Sequence, residues 1–248
     1  MTFDPASLER IIPDFVEEGD VTGSEALRIS VDRYLFAAKH ARAGRLLDIA
    51  CGAGYGTRIL SDHGNQIETA LGIDLSADAI DYAAERYGND RVSFINADAM
   101  RFDDESGFDT IVSIETIEHL AEPERFIDRL VSQMKPEAVL VASVPVTPSV
   151  DANPHHLHDF TEASFRAHFE RHGLVEIDAL TQDQAYSLGG VLRRDEARLS
   201  GVRRNLPRWY MQHPGSLIRR IGSTLRHGFK NRYLTVVWQR PVDRGAAL

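Results

Sequence analysis

The chain has 248 residues, 43% hydrophobic and 26% charged, which suits one globular α/β domain with an insertion or a small cap. A net charge of −9 argues against nucleic-acid affinity spread over the whole surface, and a single cysteine leaves no disulfide framework to build. No basic-then-apolar leader opens the sequence and no apolar run nears membrane-spanning length, so a cytoplasmic location is expected.

Residues 1–24 hold Pro5, Pro13, Gly19 and Gly23 and predict a loose N-terminal arm with one short helix near Leu8–Ile12. Ser24 is placed to cap a helix from about Glu25 to Ala41, with Leu27, Val31, Tyr34, Leu35 and Ala38 on one face. Gly44 ends it. Strand and helix patterns then alternate. Strands are expected at Arg45–Ala50, Glu68–Asp74, Arg91–Asn96, Phe108–Ile114, Ala138–Val144 and Leu174–Leu180, with helices between them. Ser76, Pro123 and Thr161 open three of those helices. The alternation predicts a Rossmann-like α/β fold, a mostly parallel sheet of seven strands covered by helices on both faces. Residues 181–232 break the rhythm with Gly189-Gly190, two prolines and ten arginines, before a last strand at Tyr233–Gln239. The domain reading is an arm over 1–24 and one domain over 25–248, with 181–232 inserted before its last strand. The arginines (193, 194, 198, 203, 204, 208, 219, 220, 226 and 232) predict a solvated face, or a patch for an anionic substrate or membrane surface.

The chemistry starts at Leu47-Asp48-Ile49-Ala50-Cys51-Gly52-Ala53-Gly54-Tyr55-Gly56-Thr57. An apolar run meets an acid and breaks into glycines at every second position. That reads as a buried strand, a tight turn and a helix start, with glycine where backbone approaches a ligand or takes positive φ. Gly52, Gly54 and Gly56 give G-x-G-x-G, whereas dinucleotide folds use G-x-G-x-x-G. Asp48 at the strand end suits a cationic ligand group, not a pyrophosphate. Cys51 is expected to be a small residue in the turn.

This segment resembles the first motif of class I S-adenosylmethionine (SAM)-dependent methyltransferases. The resemblance implies SAM as cofactor, with Tyr34, Asp48, Cys51, Gly52, Gly54, Tyr55, Gly56 and Thr57 in its site. Asp74, ending the second strand, matches an acid for both ribose hydroxyls, with Leu75 beside it. Asp98, Ala99 and Met100 match the adenine-facing segment. An N-cap for Asp74 and an Asx-type turn for Asp98 are the plainer structural roles.

Ile114-Glu115-Thr116-Ile117-Glu118-His119-Leu120 follows the fourth strand. On a helical turn Glu115, Glu118 and His119 would share a face, fit for acid–base chemistry or for a divalent cation. Glu115 is also a candidate cofactor contact. Past the fifth strand, Asn153-Pro154-His155-His156-Leu157-His158-Asp159 brings three histidines in four residues to the same edge. Catalytic candidates are His119 first and His156 second, with Glu115 and Glu118 in support. No metal is assigned. If magnesium or manganese binds, Glu115, Glu118, His119 and His156 would hold it, an arrangement similar to the metal-dependent small-RNA 2′-O-methyltransferases.

Arg33-Tyr34-Leu35, the glycine motif, the E-x-x-E-H and Asn153-Pro154-x-His156 form an ordered set similar to bacterial methyltransferases of saccharide and cell-surface polysaccharide assembly. The departure is Asp32, where that group often carries histidine before the Arg-Tyr pair; Arg33 or Tyr34 remains a candidate for the SAM carboxylate. The resemblance implies an antiparallel last strand beside the sixth and O-methylation of a small molecule or saccharide; the arginine-rich segment admits an anionic acceptor or peripheral membrane contact, and the acidic balance gives no strong nucleic-acid signal. A metal-dependent RNA 2′-O-methyltransferase and a non-catalytic SAM-binding regulator are the alternatives.

Overall fold

The computed structural model describes residues 11–16, 20–185, 203 and 205–241. After a 3-10 turn at Pro13–Phe15 come α1 (Val21–His40), β1 (Gly44–Ile49), α2 (Tyr55–His63), β2 (Ile67–Asp74), α3 (Ala77–Tyr87), β3 (Val92–Asn96) and β4 (Phe108–Ile114). A second 3-10 turn at Ile117–His119 leads to α4 (Pro123–Ser132), β5 (Met134–Pro145), α5 (Glu162–Glu170) and β6 (Val175–Ala185). The chain ends on α6 (Leu206–Gln212), α7 (Pro214–His227) and β7 (Lys230–Gln239). Among the described residues no helix is long and apolar enough to cross a membrane.

Seven strands form one sheet in the order β3-β2-β1-β4-β5-β7-β6. β7 runs antiparallel between β5 and β6, and the other pairings are parallel. Successive strand residues point to opposite faces, so the apolar runs of β1, β5 and β7 feed two cores. Leu46, Val139, Val141 and Val237 pack with Tyr34, Ala37 and Leu60 from α1 and α2. Leu47, Leu140, Ala142, Val236 and Trp238 pack with Phe126, Leu130, Phe165 and Phe169 from α4 and α5. Burying each such side chain contributes roughly 1.5–3 kcal/mol before chain entropy is charged against it.

Two expectations need correction. α1 starts at Val21, capped by Asp20 accepting from Gly23 N at 2.7 Å, not by Ser24. Its buried positions are Gly23, Ile29, Ser30, Arg33, Tyr34, Ala37 and Ala38, while Leu27, Val31 and Leu35 are only partly covered. The helix lies against α2 on one side and β6 on the other, and an arginine is buried because partners for it exist in the fold. The last hairpin is also longer than its apolar residues indicate. Polar Thr181–Gln184 pairs with Asn231–Leu234, and Asp183 holds Lys230 at 2.6 Å and Arg232 at 2.8 Å. Alternation of apolar residues gives no sign of a strand held this way.

Strand order reverses between β1 and β4, and in such sheets ligands occupy the crevice beyond the carboxyl ends of the strands there. The connections after β1, β2, β3, β4 and β5 all meet at that edge.

Candidate active site

A cavity of about 690 Å³ opens at this edge. Its floor is the bend after β1. Ala50 and Gly52 take positive φ, 61° and 56°, and a Cβ on Gly52 would meet nothing within 4 Å. This backbone is therefore open to a ligand. Cys51, Gly52 and Tyr55 line the cavity, whereas Gly54 and Gly56 are small for another reason. A Cβ on Gly54 would strike Ala83 and Phe94 at 2.5 and 2.8 Å, and one on Gly56 would lie 2.0 Å from the Tyr34 ring. Those two glycines admit neighbouring side chains. Burial first, then the charges of Asp48 and Asp74, pushes the Cys51 thiol well up, so it stays protonated and inert.

Asp48 does not face the cavity as expected. It is fully buried, accepts from Thr57 Oγ1 at 2.6 Å, and its Oδ1 has no hydrogen-bond partner among the described residues. Burial lifts its pKa to about 7, opposed by the Thr57 bond and reinforced by the Asp74 charge. Thr57 and Met100 also lie off the cavity; Met100 packs against the core.

Asp74, Leu75, Asp98 and Ala99 line one end. Asp74 accepts from Gly52 N and Ser76 N, both at 2.9 Å, and so ties the glycine bend to the end of β2. Ser76, not Asp74, caps α3. Asp98 accepts from Met100 N at 2.8 Å, an Asx-type turn that coexists with its place on the cavity wall. The open glycine backbone flanked by Asp74 and Asp98 fits a cofactor with an adenosyl ribose.

At the other end Glu115 takes positive φ, 50°, which costs a non-glycine residue of order 1–3 kcal/mol and persists only where surroundings impose it. Here Ser143 imposes it: the Glu115 N–H donates to the Ser143 carbonyl, and Ser143 Oγ donates to Glu115 Oε1 at 2.8 Å. Arg33, 4% exposed, approaches the same carboxylate at 3.4 Å, donates to Gln182 and lies over the Tyr233 ring. The expected sharing of one face by Glu115, Glu118 and His119 is therefore corrected. The bend at Glu115 turns it toward Arg33, and the 3-10 turn after it gathers Glu118 and His119 with His156 instead.

Those three offer ligand atoms within 4.8 Å of one another. Two imidazoles and one buried carboxylate suit a divalent ion as far as they go, and Glu118, His119 and His156 are the residues that would hold it; Glu115 is not among them. Without an ion the cluster is an acid–base pair. The His119 and His156 rings meet edge to face with centroids 4.6 Å apart. His119 Nδ1 lies 3.2 Å from the His155 carbonyl, which accepts, and Nε2 lies 3.9 Å from Glu118 Oε1. His156 Nδ1 is 2.7 Å from Ser149 Oγ, and burial, then the charges of His119 and His155, lowers its pKa to about 3. Of the other loop histidines, His158 is tied to the Leu120 carbonyl at 2.9 Å and His155 is exposed.

Several lining residues carried no sequence signal. Ser149, Asp151 and Tyr210 are among them, and nothing set Arg220 apart from the other nine arginines or marked Tyr233, at the start of the expected last strand, as a lining residue. Asp151 takes Arg220 Nε at 2.7 Å and the Tyr210 hydroxyl at 2.5 Å, fastening α6 and α7 over the cavity. Arg203 donates to the Asp151 carbonyl at 3.1 Å and lies over Trp209. Arg193, Arg194, Arg198 and Arg204 lie outside the described residues.

Residues 47–142 match the family model described as a methyltransferase domain. A ubiquinone biosynthesis O-methyltransferase of Rhodopseudomonas palustris is 30% identical over 162 residues, covering 57% of this chain and 62% of that protein's length. Among solved structures, the N-methyltransferase NodS of Bradyrhizobium japonicum with S-adenosyl-L-homocysteine is 17% identical, with a TM-score of 0.58 over 90% of each chain. The [4+2]-cyclase SpnF is 20% identical, with a TM-score of 0.61 over 92% of this chain and 86% of that one. At such identities these structures share the fold alone, and the cyclase shows that the fold does not fix the reaction. Residues 47–142, which carry the glycine bend and the strands on both sides of the switch point, are thus similar to a methyltransferase domain, and the chain resembles the class I SAM-dependent methyltransferases in that region.

Proposed function

We propose that the protein transfers a methyl group from SAM to a hydroxyl of a small-molecule acceptor. The observation that carries this is the His119–His156 pair, in one cavity with the Gly52–Asp74–Asp98 edge. When bound, SAM supplies an activated methyl group. Asp74 and Asp98 hold the nucleoside, and the Gly52 backbone lets its amino-acid end approach. A hydroxyl is a weak nucleophile, so its proton must be taken as the bond forms. His119 does this through Nε2, its Nδ1–H being held by the His155 carbonyl, and Glu118 stabilises the resulting imidazolium. His156 stays neutral, packs the His119 ring edge-on and orients the acceptor. The cavity holds acceptor and cofactor in line, which supplies much of the remaining rate.

The acceptor we infer is a saccharide hydroxyl, supported by the ordered Arg33-Tyr34, glycine, E-x-x-E-H and Asn153-Pro154-x-His156 set. A phenolic hydroxyl is the second reading, favoured by the ubiquinone-biosynthesis relative and by Tyr34, Tyr210, Phe229 and Tyr233 on the cavity wall.

The test is calorimetric titration with SAM and S-adenosylhomocysteine, then product formation with panels of both acceptor types, with and without chelator. Cofactor uptake and methylated product insensitive to chelator support the reading. Uptake without product from either panel supports the regulator instead, and loss of activity on chelation supports a metal at Glu118, His119 and His156.

A further inference from the structure

α7 presents three different faces. Arg220, Ser223 and Thr224 look into the cavity. Ile218, Ile221 and Leu225, spaced three and four apart, share the face turned away from it, and are 71%, 51% and 84% exposed. Met211, just before α7, is 77% exposed as well. Along one edge run Arg219 and Arg226, about 100° round the helix from the stripe. Leu206, Pro207, Met211 and Leu217 form an open apolar groove between α6 and α7.

Single exposed apolar residues need no explanation, but a contiguous stripe on one helix does. The charge around it points to the occupant. Residues 205–232 hold five arginines and one lysine and no carboxylate, in a chain whose net charge is −9. Arg208 and Arg226 make no hydrogen bond or ion pair among the described residues, and Arg219 donates to Ser216 Oγ at 2.7 Å and meets one carboxylate loosely, Asp159 at 3.8 Å. An apolar helix face edged by arginines and free of acids is the pattern of a helix lying in the plane of an anionic bilayer surface.

We propose that α6 and α7 dock the protein on anionic lipid membranes, with Ile218, Ile221 and Leu225 entering the headgroup–acyl boundary and Arg208, Arg219 and Arg226 engaging lipid phosphates. Docking this way sets the cavity directly behind the membrane-facing helix, so an acceptor held in the bilayer surface reaches the site across α7. The proposal does not depend on which hydroxyl is methylated, because lipid binding is read without turnover.

The experiment is co-sedimentation of the full chain with vesicles of phosphatidylcholine alone and of phosphatidylcholine with phosphatidylglycerol. Wild type is expected to bind the anionic vesicles at least about tenfold more tightly. The variant I218S/I221S/L225S is expected to lose binding to both, and R208Q/R219Q/R226Q to lose the preference for anionic lipid. In L225W, vesicles should shift tryptophan emission to the blue, with quenching by brominated lipid; this needs no loss of function to interpret. Unchanged S-adenosylhomocysteine affinity in each variant confirms folding. No binding to anionic vesicles, equal binding by the stripe variant, or a stripe-dependent dimer in light scattering each overturns the proposal, the last by naming a second copy as the occupant.

Discussion

Thr57 donates its hydroxyl hydrogen bond to Asp48 Oδ2 at 2.6 Å in a space closed to solvent behind the glycine bend. The pair ties the end of β1 to the start of α2, and so fixes the bend between them. Burial raises the Asp48 carboxyl to about 7, so the folded protein holds its proton more tightly than the unfolded chain does. This group's contribution is therefore fully present below the ordinary carboxylate value of about 4, and is lost as pH rises through about 7. Asp48→Asn keeps the shape and removes the charge. Urea unfolding without ligand should show wild type losing stability relative to the variant between about pH 4 and about pH 7. A difference that does not change with pH would contradict the assignment.

Gly52 and Gly56 should fail in different ways when replaced by alanine. At Gly52 the new Cβ meets nothing, but φ is 56° and the methyl projects toward the cofactor crevice. Stability should fall by about 1–2 kcal/mol, while affinity for S-adenosylhomocysteine falls at least about tenfold. At Gly56 the methyl would strike the buried Tyr34 ring, an overpacking that costs about 1–3 kcal/mol or more. Gly56→Ala combined with Tyr34→Leu should recover part of that loss, measured as a double-mutant cycle. Additive effects in the cycle would remove the packing explanation.

These glycines show what the sequence could and could not say. Period-two apolar runs and the β1 bend made the sheet and its functional edge legible, because main-chain geometry follows from local residue types. The same G-x-G-x-G hid that only Gly52 of the three opens on the cavity, since the reason for Gly54 and Gly56 lies in Ala83, Phe94 and Tyr34, distant in sequence. Glu115 was misplaced for a related reason. Its left-handed backbone is set by Ser143 on the adjacent strand, and nothing in E-x-x-E-H reports it. Buried Arg33 is likewise explained by Glu115, Gln182 and Tyr233, partners that tertiary structure alone brings together.

His119→Ala should slow turnover by roughly 10²–10⁴-fold if its imidazole takes the acceptor's proton. S-adenosylhomocysteine affinity should stay nearly unchanged, because Gly52, Asp74 and Asp98 lie at the other end of the cavity. His156→Ala removes the ring that His119 packs against and frees Ser149 Oγ, so it should raise KM as well as lower kcat. Isothermal titration and steady-state kinetics on the same preparations separate these effects. Equal loss of cofactor affinity in both variants would move the histidines to the cofactor site.

Asp151 and Arg220 close the cavity from above. The Asp151 side chain is 2% exposed and that of Arg220 26%. Burial raises the Asp151 carboxyl, but the Arg220 hydrogen bond and charge outweigh it and hold it below its usual range. Removing one partner of such a pair strands the other, at a cost of about 3–5 kcal/mol when burial is complete. Arg220→Met should therefore harm more than Asp151→Asn, because the stranded arginine keeps the Pro148 carbonyl at 2.6 Å and is a quarter exposed. α6 and α7 hang on this contact, so the loss should appear first as local opening. Limited proteolysis with mass mapping should find cleavage within residues 205–229 at least about tenfold faster in Arg220→Met, with a smaller change in the melting of the sheet. Cleavage at the wild-type rate would mean that other contacts fasten the two helices.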